Sequence, residues 1–458
     1  MTPVCTVYVL PGLGFAGEAA APIAAHLPER FDVVGIDLPG HGDAPDAADA
    51  GVAAVADAVV AAIAARATGG PWILCGHSMG GKIAAVVADR VLRGVAPLFG
   101  LAGLVLLAPS PTTREPMDEE RRERMLAWVA DGPISAQHAH DFVSENVAAP
   151  LDPDTETTAI AQVQRMSPLA WRRWLETGSR QDVRDGLDIA DLPAVVLAGD
   201  ADDDLGADAQ PGLITDLLPR AEVIALSDTG HLLPYERPRE VAAAIARLWE
   251  RILAASAPVP SDWGRIIASE RTDPETRGIL SRRALADDVD AGPQALTPPQ
   301  LTMLRALAAR LVPRAADDRF DLALRLDRDL AEGRGDGWRP PGLPTDADAA
   351  RAGLDALAAV WPDGTAAQDA LIAQIIAGDG FDGSPWDADT TRRWFEDVRV
   401  DLAQAWVSHP ASSARIAFDG FVTGVGTSDP GFSELRADRR DAWEPPSLGI
   451  LSSTEDPS

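Results

Sequence analysis

Short apolar runs alternate with longer helical stretches over the first quarter of the chain. The apolar or β-branched runs cover residues 4–10, 33–38, 72–76 and 101–107, and Ala-rich stretches with helical spacing cover 18–27, 52–67 and 81–92. Continuous apolar strands separated by helices are typical of a parallel sheet covered on both faces. The pattern therefore predicts an α/β fold with a doubly wound, mostly parallel sheet.

The strand pattern stops between about residues 111 and 190, where the chain is helical in character. Segments 117–130 and 168–175 have helical spacing, and tryptophans supply apolar bulk at Trp128, Trp171 and Trp174. Strands resume at 194–198 and 221–226, followed by a helix at 239–253. An insertion of this kind predicts a helical cap over the carboxyl edge of the sheet, where such folds bind ligands. We assign residues 1–256 to this domain.

A second domain follows a change in composition. Residues 257–295 are rich in Pro, Asp, Arg and Gly with weak periodicity, which predicts a linker with room for one short helix. Thr297 and Gln300 can then form a capping box around Pro298 at the first helical position. Further helical patterns at 320–330, 347–360, 366–376 and 390–406 predict an all-α domain over 296–446. Residues 447–458 are expected to form a disordered tail.

Composition and charge exclude some classes of binding partner. A length of 458 residues accommodates two or three domains, and the net charge of -30 repels phosphate backbones and anionic lipid headgroups. We therefore expect a small neutral substrate or a protein partner, with neither nucleic acid nor membrane. We expect no export signal, and the sequence has no apolar run of membrane-spanning length. Cys5 and Cys75 lie in predicted strands, which favours buried free thiols and a cytoplasmic location.

A motif for a nucleophilic serine lies at residues 76–80, G-H-S-M-G, directly after a predicted strand and directly before a helix. A bare G-x-S-x-G pattern often arises by chance, so its position carries the argument. The glycines allow a strained turn that exposes the hydroxyl of Ser78, and the N-terminus of the helix favours developing negative charge. We predict that Ser78 is the nucleophile.

A serine hydroxyl needs a general base to remove its proton. His231 follows the last predicted strand on a loop, which makes it the predicted base. Four other histidines precede the serine, adjoin it or lie in the second domain: His26, His41, His77 and His409. His138 and His140 belong to the cap, where they are either polar helix residues or a metal pair. The absence of a third ligand favours the first interpretation, and we expect no metal or cofactor.

The base in turn needs a carboxylate, expected after a strand that lies between Ser78 and His231 in the chain. The run 195–199 is such a strand, and aspartates crowd the loop that follows it, at Asp200, Asp202, Asp203 and Asp204. Spacing from the end of the strand favours Asp202 as the acid of the triad. Asp203 stays the alternative.

Acyl transfer also needs donors for the oxyanion of the tetrahedral intermediate. One predicted donor is the backbone N–H of Met79, the residue after the nucleophile. The other is expected from residues 10–15, L-P-G-L-G-F, with Leu13 as the donor, because the glycines let the backbone approach a substrate. The same loop is otherwise an ordinary turn from strand to helix.

Taken together, the motifs at 11–15, 37–42, 76–81, 199–202 and 230–231 resemble the α/β-hydrolase superfamily, in its esterase, lactonase and haloperoxidase-like branch. The resemblance covers residues 1 to about 255 and implies hydrolysis of an ester or lactone through an acyl-enzyme. Many members have His-Gly in the oxyanion loop, where this chain has Pro11 and Gly12. The superfamily also includes C–C bond hydrolases and non-catalytic members, so the fold alone does not fix the chemistry.

The second domain resembles subunit 3 of the membrane-associated gluconate 2-dehydrogenases at residues 296–311, 353–357, 394–395 and 408–410. This resemblance implies a binding role beside a flavoprotein that oxidises a sugar or sugar acid. Two functional hypotheses follow. Either the chain is a hydrolase, which in the sharper version opens a sugar lactone released by the partner, or it is an accessory subunit whose hydrolase fold is a scaffold.

Overall fold

The computed structural model describes residues 5–421 apart from 48, 50, 215, 314 and 336–341. This part of the chain divides into two compact units. The first contains residues 5–253, 258–285 and 419–421, and the second contains 254–257 and 286–418.

The first unit is built around one parallel sheet. Its strands are β1 (Cys5–Leu10), β2 (Phe31–Gly35), β3 (Trp72–His77), β4 (Leu101–Leu107), β5 (Ala194–Gly199) and β6 (Glu222–Leu226), in the order β2-β1-β3-β4-β5-β6. Every neighbouring pair is parallel. The inner strands β3 and β5 are buried along their whole length, whereas the edge strands β2 and β6 are partly exposed. The predicted α/β fold class is therefore confirmed.

Helices flank this sheet and complete the first unit. They are α1 (Ala21–Ala24), α2 (Val52–Ala64), α3 (Met79–Leu92), α4 (Glu119–Ala127), α5 (Ala136–Glu145), α6 (Pro153–Arg165), α7 (Pro168–Glu176), α8 (Gln210–Ile214), α9 (Leu233–Glu236), α10 (Pro238–Ala254), α11 (Ser261–Ala268) and α12 (Pro274–Arg283). Short 3-10 helices lie at Gly17–Ala20 and Gly178–Arg180.

Helices α4 to α7 form the predicted cap between β4 and β5. Each begins at a side chain that accepts a hydrogen bond from a backbone N–H of the first turn: Asp118, Ser135, Asp152 and Ser167. Such caps satisfy donors that have no partner within the helix. The local sequence therefore sets where each cap helix starts.

Strand β2 lies two residues earlier than its predicted start and ends at Gly35. The apolar run continues to Leu38, which is buried outside the strand. The carboxylate of Asp37 instead accepts hydrogen bonds from the backbone N–H groups of Gly17 and Asp43. Pro39 has no N–H to extend the ladder. An irregular segment held by the carboxylate of Asp37 therefore replaces the end of the expected strand.

The segment that we interpreted as a linker, 257–295, contains helices α11 and α12, and residues 258–285 belong to the first unit. Asp273 caps α12, with Pro274 at its first position. Arg277 is buried and donates to the carbonyl oxygens of Ile267, Gly94, Ser269 and Thr272. Helix α11 buries an apolar face with Trp263, Ile266 and Ile267, whereas anchoring of α12 by an arginine leaves little hydrophobic periodicity, which explains why the pattern does not predict α12.

The second unit is helical, as predicted. Its helices are α13 (Pro298–Leu311), α14 (Leu322–Ala331), α15 (Asp346–Val360), α16 (Thr365–Ala377), α17 (Ala388–Val407) and α18 (Pro410–Arg415). The capping box of Thr297 and Gln300 is present at the start of α13. Gly353 on α15 faces the ring of Trp394 on α17, where a Cβ atom would lie 2.1 Å from the ring. Glycine therefore permits the close approach of these helices.

Two further expectations concern the whole chain. Cys5 and Cys75 are buried and free, as predicted. Among the described residues, no helix combines the length and the apolar character needed to cross a membrane. The expected tail at 447–458 lies outside the described residues.

Candidate active site

Ser78 lies between β3 and α3, at the carboxyl edge of the sheet. The strand order reverses at β1 and β3, so the loops that follow these two strands leave a crevice between them. The backbone of Ser78 has φ 49° and ψ -117°, which is unusual for a residue with a side chain. This strained turn is the local structure that the motif at 76–80 predicts.

The glycines around Ser78 are required by close backbone contacts. A Cβ atom on Gly76 would lie 2.5 Å from the carbonyl oxygen of Gly80, and one on Gly80 would lie 2.6 Å from that of Leu10. Neither contact leaves room for a side chain. The turn therefore packs tightly against the end of β1.

His231 and Asp202 are hydrogen bonded at the same edge of the sheet. Nδ1 of His231 lies 2.6 Å from Oδ2 of Asp202, whereas Asp203 is exposed. Oδ1 of Asp202 accepts from the backbone N–H groups of Asp204 and Leu205. Burial opposes ionisation of Asp202, but these hydrogen bonds and the charge of His231 outweigh burial and lower its pKa. An ionised carboxylate only accepts, so Nδ1 carries the proton and Nε2 keeps its lone pair.

The pKa of His231 is raised above its ordinary value of 6.5. Burial alone lowers this pKa, but the hydrogen bond and negative charge of Asp202, with a smaller contribution from Glu115, outweigh burial. A base with a raised pKa binds a proton more strongly. The pair is therefore suited to taking a proton from a hydroxyl and holding it.

Ser78, His231 and Asp202 line one pocket of about 530 Å³, a volume that includes space open to solvent. Its apolar wall contains Leu13, Phe15, Met117, Met125, Phe142, Trp174, Leu205 and Leu232. Its other polar members are His77, Glu115, Arg121, Asn146 and Asp204. Substrate pockets commonly combine an apolar wall with a few polar groups that orient the ligand.

The two predicted oxyanion donors lie near this pocket. Leu13 lines it, and Met79 is the first residue of α3, where a backbone N–H has no carbonyl partner within the helix. The loop that carries Leu13 is fixed by cap helix α6. The N–H of Gly14 donates to Sδ of Met166, and the N–H of Ala16 donates to Oε1 of Gln162. The cap thus holds the backbone of this loop in position.

His77 is a site residue that the sequence analysis passed over. Its ring is buried, and Nε2 lies 2.8 Å from the backbone carbonyl oxygen of His231. Burial and the nearby positive charge of His231 lower the pKa of His77 to about 3. His77 is therefore neutral and links the serine turn to the histidine loop. Its only sequence signal is its place beside Ser78.

Glu236 is a second such residue, at the end of α9. Its carboxylate accepts from the backbone N–H groups of Gly230 and Leu232, which flank His231, and from the N–H of Ala148 in the cap. The distances are 3.0, 3.1 and 2.9 Å. Glu236 therefore fixes the loop of the base from both sides. A glutamate five residues beyond a histidine gave no recognisable signal.

The end of cap helix α5 also contacts the histidine loop. The backbone carbonyl of Asn146 accepts from the N–H groups of His231 and Leu232 at 2.8 and 3.2 Å. The side chain of Asn146 accepts from Arg121, whose guanidinium is also paired with Asp204. The cap therefore contributes to the position of the base as well as to the pocket wall.

The cap histidines are apart from this site. His138 stacks on Trp128 with ring centroids 5.2 Å apart, and His140 lies near Asp141 and Glu156. Within the described part of the chain, no group of three or more His, Cys, Asp or Glu side chains is arranged to hold a metal ion. Neither histidine lines the pocket.

Comparisons with known proteins cover the first unit. Residues 7–244 match the profile of the Alpha/beta hydrolase family. A 2-succinyl-6-hydroxy-2,4-cyclohexadiene-1-carboxylate synthase from Enterobacter sp. (strain 638) is 28% identical over 242 residues, which are 51% of this chain and 88% of that protein.

Solved structures are similar over about half of the chain. A thermophilic esterase from Thermogutta terrifontis has 23% identity and a TM-score of 0.45, and the match covers 54% of this chain and 90% of that one. MenH from S. aureus has 18% identity and a TM-score of 0.44, with 55% and 95% covered.

Proposed function

The chain belongs to the alpha/beta hydrolase family, and from this premise we propose that it is a serine hydrolase that cleaves a carboxylic ester or lactone through an acyl-enzyme. Ser78 is the nucleophile, His231 the general base and Asp202 the acid that orients the base. Met79 and Leu13 supply the backbone donors for the oxyanion.

One observation carries this proposal. The 2.6 Å hydrogen bond between His231 and Asp202 lies in a pocket that Ser78 also lines from a strained turn. A strained backbone at a buried turn persists only when the surrounding structure holds it, and such strain clusters at functional sites. A nucleophile, a base and an orienting carboxylate in one pocket are the requirements of acyl transfer.

In the proposed reaction, Oγ of Ser78 attacks the carbonyl carbon while its proton passes to Nε2 of His231. The oxyanion accepts hydrogen bonds from the N–H groups of Met79 and Leu13. The bond to the leaving oxygen breaks, and His231 returns the proton to that oxygen. Water then attacks the acyl-enzyme, loses a proton to His231 and releases the acid, and that proton returns to Ser78. Asp202 stabilises the imidazolium in both halves.

The charge of the pocket favours a substrate that is neutral. Its carboxylates at Glu115 and Asp204 repel an anion, and the pocket arginine, Arg121, is already paired with Asp204. The Enterobacter relative is named for a product that carries a carboxylate. A neutral ester or lactone fits the present pocket better than such an anion.

For the C-terminal helices, we propose a binding role rather than a second active site. The resemblance to the small subunit of gluconate 2-dehydrogenases suggests a flavin-dependent sugar dehydrogenase as partner. In that case a sugar lactone released by the partner becomes the substrate of Ser78. Co-purification with such a flavoprotein supports this role, whereas recovery of the chain alone from cells that contain the flavoprotein argues against it.

The proposed hydrolysis is tested by assays on p-nitrophenyl acetate, short acyl esters and gluconolactone. The Ser78→Ala variant is expected to lose several orders of magnitude in kcat/KM, because residues of a triad act as a unit. Ser144→Ala is a matched control, since Ser144 is an exposed cap serine. No Ser78-dependent turnover on any of these substrates would falsify the proposal.

A further inference from the structure

Glu115 is a buried carboxyl group in the substrate pocket to which the proposed reaction gives no role. It lies at the beginning of the cap, is 9% exposed and lines the same pocket as Ser78 and His231. Its Oε2 atom is buried and has no hydrogen-bond partner among the described residues. A buried, unpartnered carboxyl oxygen is costly and needs an explanation.

The backbone of Glu115 is fixed on both sides. Its N–H donates to the carbonyl of Ser179 at 2.8 Å, and its carbonyl accepts from the N–H of Met117 at 2.8 Å. Met117 also lines the pocket. The carboxyl group therefore sits on a rigid segment at the pocket wall.

The neighbouring cations direct their hydrogen bonds elsewhere. Lys82 donates to the carbonyls of Thr113 and Gln181, and Arg122 donates to the carbonyl of Leu175 and the hydroxyl of Ser179. Burial raises the pKa of Glu115, and the charges of His231, Lys82 and Arg122 oppose this shift only in part. The nearby hydroxyl of Ser110 also acts to lower the pKa of Glu115, although no hydrogen bond of normal geometry joins the two side chains. The nearby cations therefore do not satisfy the buried Oε2 atom of Glu115, which stays open to a ligand.

Resting on the proposed function, the geometry points to Glu115 as the residue that selects substrates with a hydroxyl group near the scissile carbonyl. The open oxygen accepts a hydrogen bond from that hydroxyl, while the apolar wall holds the carbon chain. An ammonium group fits less well, because Lys82 and Arg122 already place positive charge near the carboxyl group of Glu115. The inferred substrate class is a neutral hydroxy ester or hydroxy lactone.

Three lactones that differ at one position test this inference. At the carbon next to the carbonyl, γ-butyrolactone carries hydrogen, α-hydroxy-γ-butyrolactone carries a hydroxyl and homoserine lactone carries an ammonium group. A fourth compound, β-hydroxy-γ-butyrolactone, carries the hydroxyl at the following carbon. We expect the wild type to prefer a hydroxy lactone over γ-butyrolactone by about tenfold or more in kcat/KM. In Glu115→Leu the ratio is expected to fall towards one. Glu115→Gln keeps an acceptor and should keep most of the preference.

Glu123→Leu is the matched control, since it makes the same change at an exposed glutamate of cap helix α4 that does not line the pocket, and it should keep the wild-type ratio. A hydroxyl preference that is absent in the wild type, or unchanged in Glu115→Leu, overturns the inference, as does a preference for the ammonium lactone. An unchanged ratio together with a lower melting temperature would assign Glu115 a purely structural role.

Binding to the Ser78→Ala variant separates this inference from the proposed reaction. Calorimetry with α-hydroxy-γ-butyrolactone and its β isomer measures recognition without turnover. If Ser78→Ala binds a hydroxy lactone more tightly than γ-butyrolactone, and the double variant with Glu115→Leu does not, the role of Glu115 in recognition is supported. This holds even where the hydrolysis assays show no turnover. If Ser78→Ala and the double variant with Glu115→Leu bind the hydroxy lactones with equal affinity, the inference is overturned, even where hydrolysis by the wild type depends on Ser78.

Discussion

The Nε2 atom of His77 donates a hydrogen bond to the backbone carbonyl oxygen of His231, and the two atoms are 2.8 Å apart. A carbonyl oxygen only accepts, so this bond fixes the tautomer of His77. The ring centroids of the two histidines are 5.1 Å apart. The residue before the proposed nucleophile thus positions the backbone of the proposed base.

Removing this bond is expected to lower catalysis through geometry. His77→Leu leaves the carbonyl of His231 without its donor and should reduce kcat/KM by about 10- to 100-fold, the equivalent of about 1–3 kcal/mol. A positioning role predicts that kcat falls more than KM rises. Steady-state kinetics on p-nitrophenyl acetate measure both.

Two further variants serve as controls for His77→Leu. His77→Gln keeps an N–H donor and should recover part of the activity, while His140→Leu changes an exposed histidine outside the pocket and should behave as wild type. Full activity in His77→Leu would contradict the positioning role.

The pH dependence follows from the raised pKa of His231. Because His231 must be neutral to accept the proton of Ser78, kcat/KM should fall as pH decreases through that pKa, with the midpoint above 6.5. In Asp202→Asn the main cause of the raised pKa is gone, so the midpoint should move to lower pH. The plateau activity is expected to fall by about 10⁴-fold, as for loss of the acid in other triads.

A pH profile of kcat/KM between pH 5 and 9 checks both expectations. Asp203→Asn is the matched control, because Asp203 is exposed and its neighbour Asp202 makes the contact with His231. A profile of Asp203→Asn that changed as much as that of Asp202→Asn would refute the assignment of Asp202.

Glu236 should matter to catalysis although it contacts the backbone on either side of His231 and not its imidazole. Glu236→Ala removes the acceptor for three backbone N–H groups, of Gly230, Leu232 and Ala148. We expect kcat/KM to decrease by at least about tenfold and the melting temperature to decrease as well, because the buried N–H of Gly230 is left without an acceptor. Glu236→Gln keeps one carbonyl acceptor, so its kcat/KM and melting temperature should lie between those of the wild type and of Glu236→Ala.

Kinetics and thermal unfolding of both variants measure this effect. Glu240→Ala on α10 is the control, since Glu240 is an exposed glutamate one turn further on. If Glu236→Ala unfolds at a lower temperature yet keeps its kcat/KM, then Glu236 stabilises the fold without positioning His231.

The sequence pattern predicted the sheet well because its inner strands are continuous apolar runs. Strand β4 has the predicted bounds, 101–107, and the serine turn lies where the motif requires. These features are local, so a short window of sequence contains the information. The capping box of Thr297 and Gln300 is predictable for the same reason.

The contacts that hold the site together join residues far apart in sequence. His77 and His231 are separated by 154 residues, and Ala148 and Glu236 by 88. Neither pairing leaves a local pattern. Helix α12 has no recognisable pattern for a related reason, since the buried guanidinium of Arg277, rather than an apolar stripe, anchors it.

Lys82 is a lysine buried in α3, and it joins the two ends of the cap. It is 0% exposed, and Nζ donates to the carbonyl of Thr113 at 2.9 Å and to that of Gln181 at 2.5 Å. Thr113 lies at the beginning of the cap and Gln181 near its end. Burial lowers the pKa of Lys82 to about 8. The amine keeps two protons for these hydrogen bonds after it loses its charge.

This lowered pKa predicts how the stability of the protein changes with pH. Between pH 8 and the ordinary lysine pKa of about 10.4, the unfolded chain binds a proton at Lys82 that the folded chain has released. The free energy of unfolding contributed by Lys82 therefore rises with pH, by about 2 kcal/mol from pH 8 to pH 10. Below pH 8 both states are protonated, and the cost of burying the charge is fully present.

Urea unfolding of the wild type and of Lys82→Met at pH 7, 8, 9 and 10 isolates this contribution. Other groups titrate in both proteins, so the difference between the two free energies of unfolding reports Lys82. This difference should grow in favour of the wild type above pH 8. Lys82→Arg stays charged throughout and should show no such growth relative to Lys82→Met. A difference between wild type and Lys82→Met that stayed constant to pH 10 would mean that the folded protein keeps Lys82 charged, and that the two ends of the cap are joined by an ammonium ion.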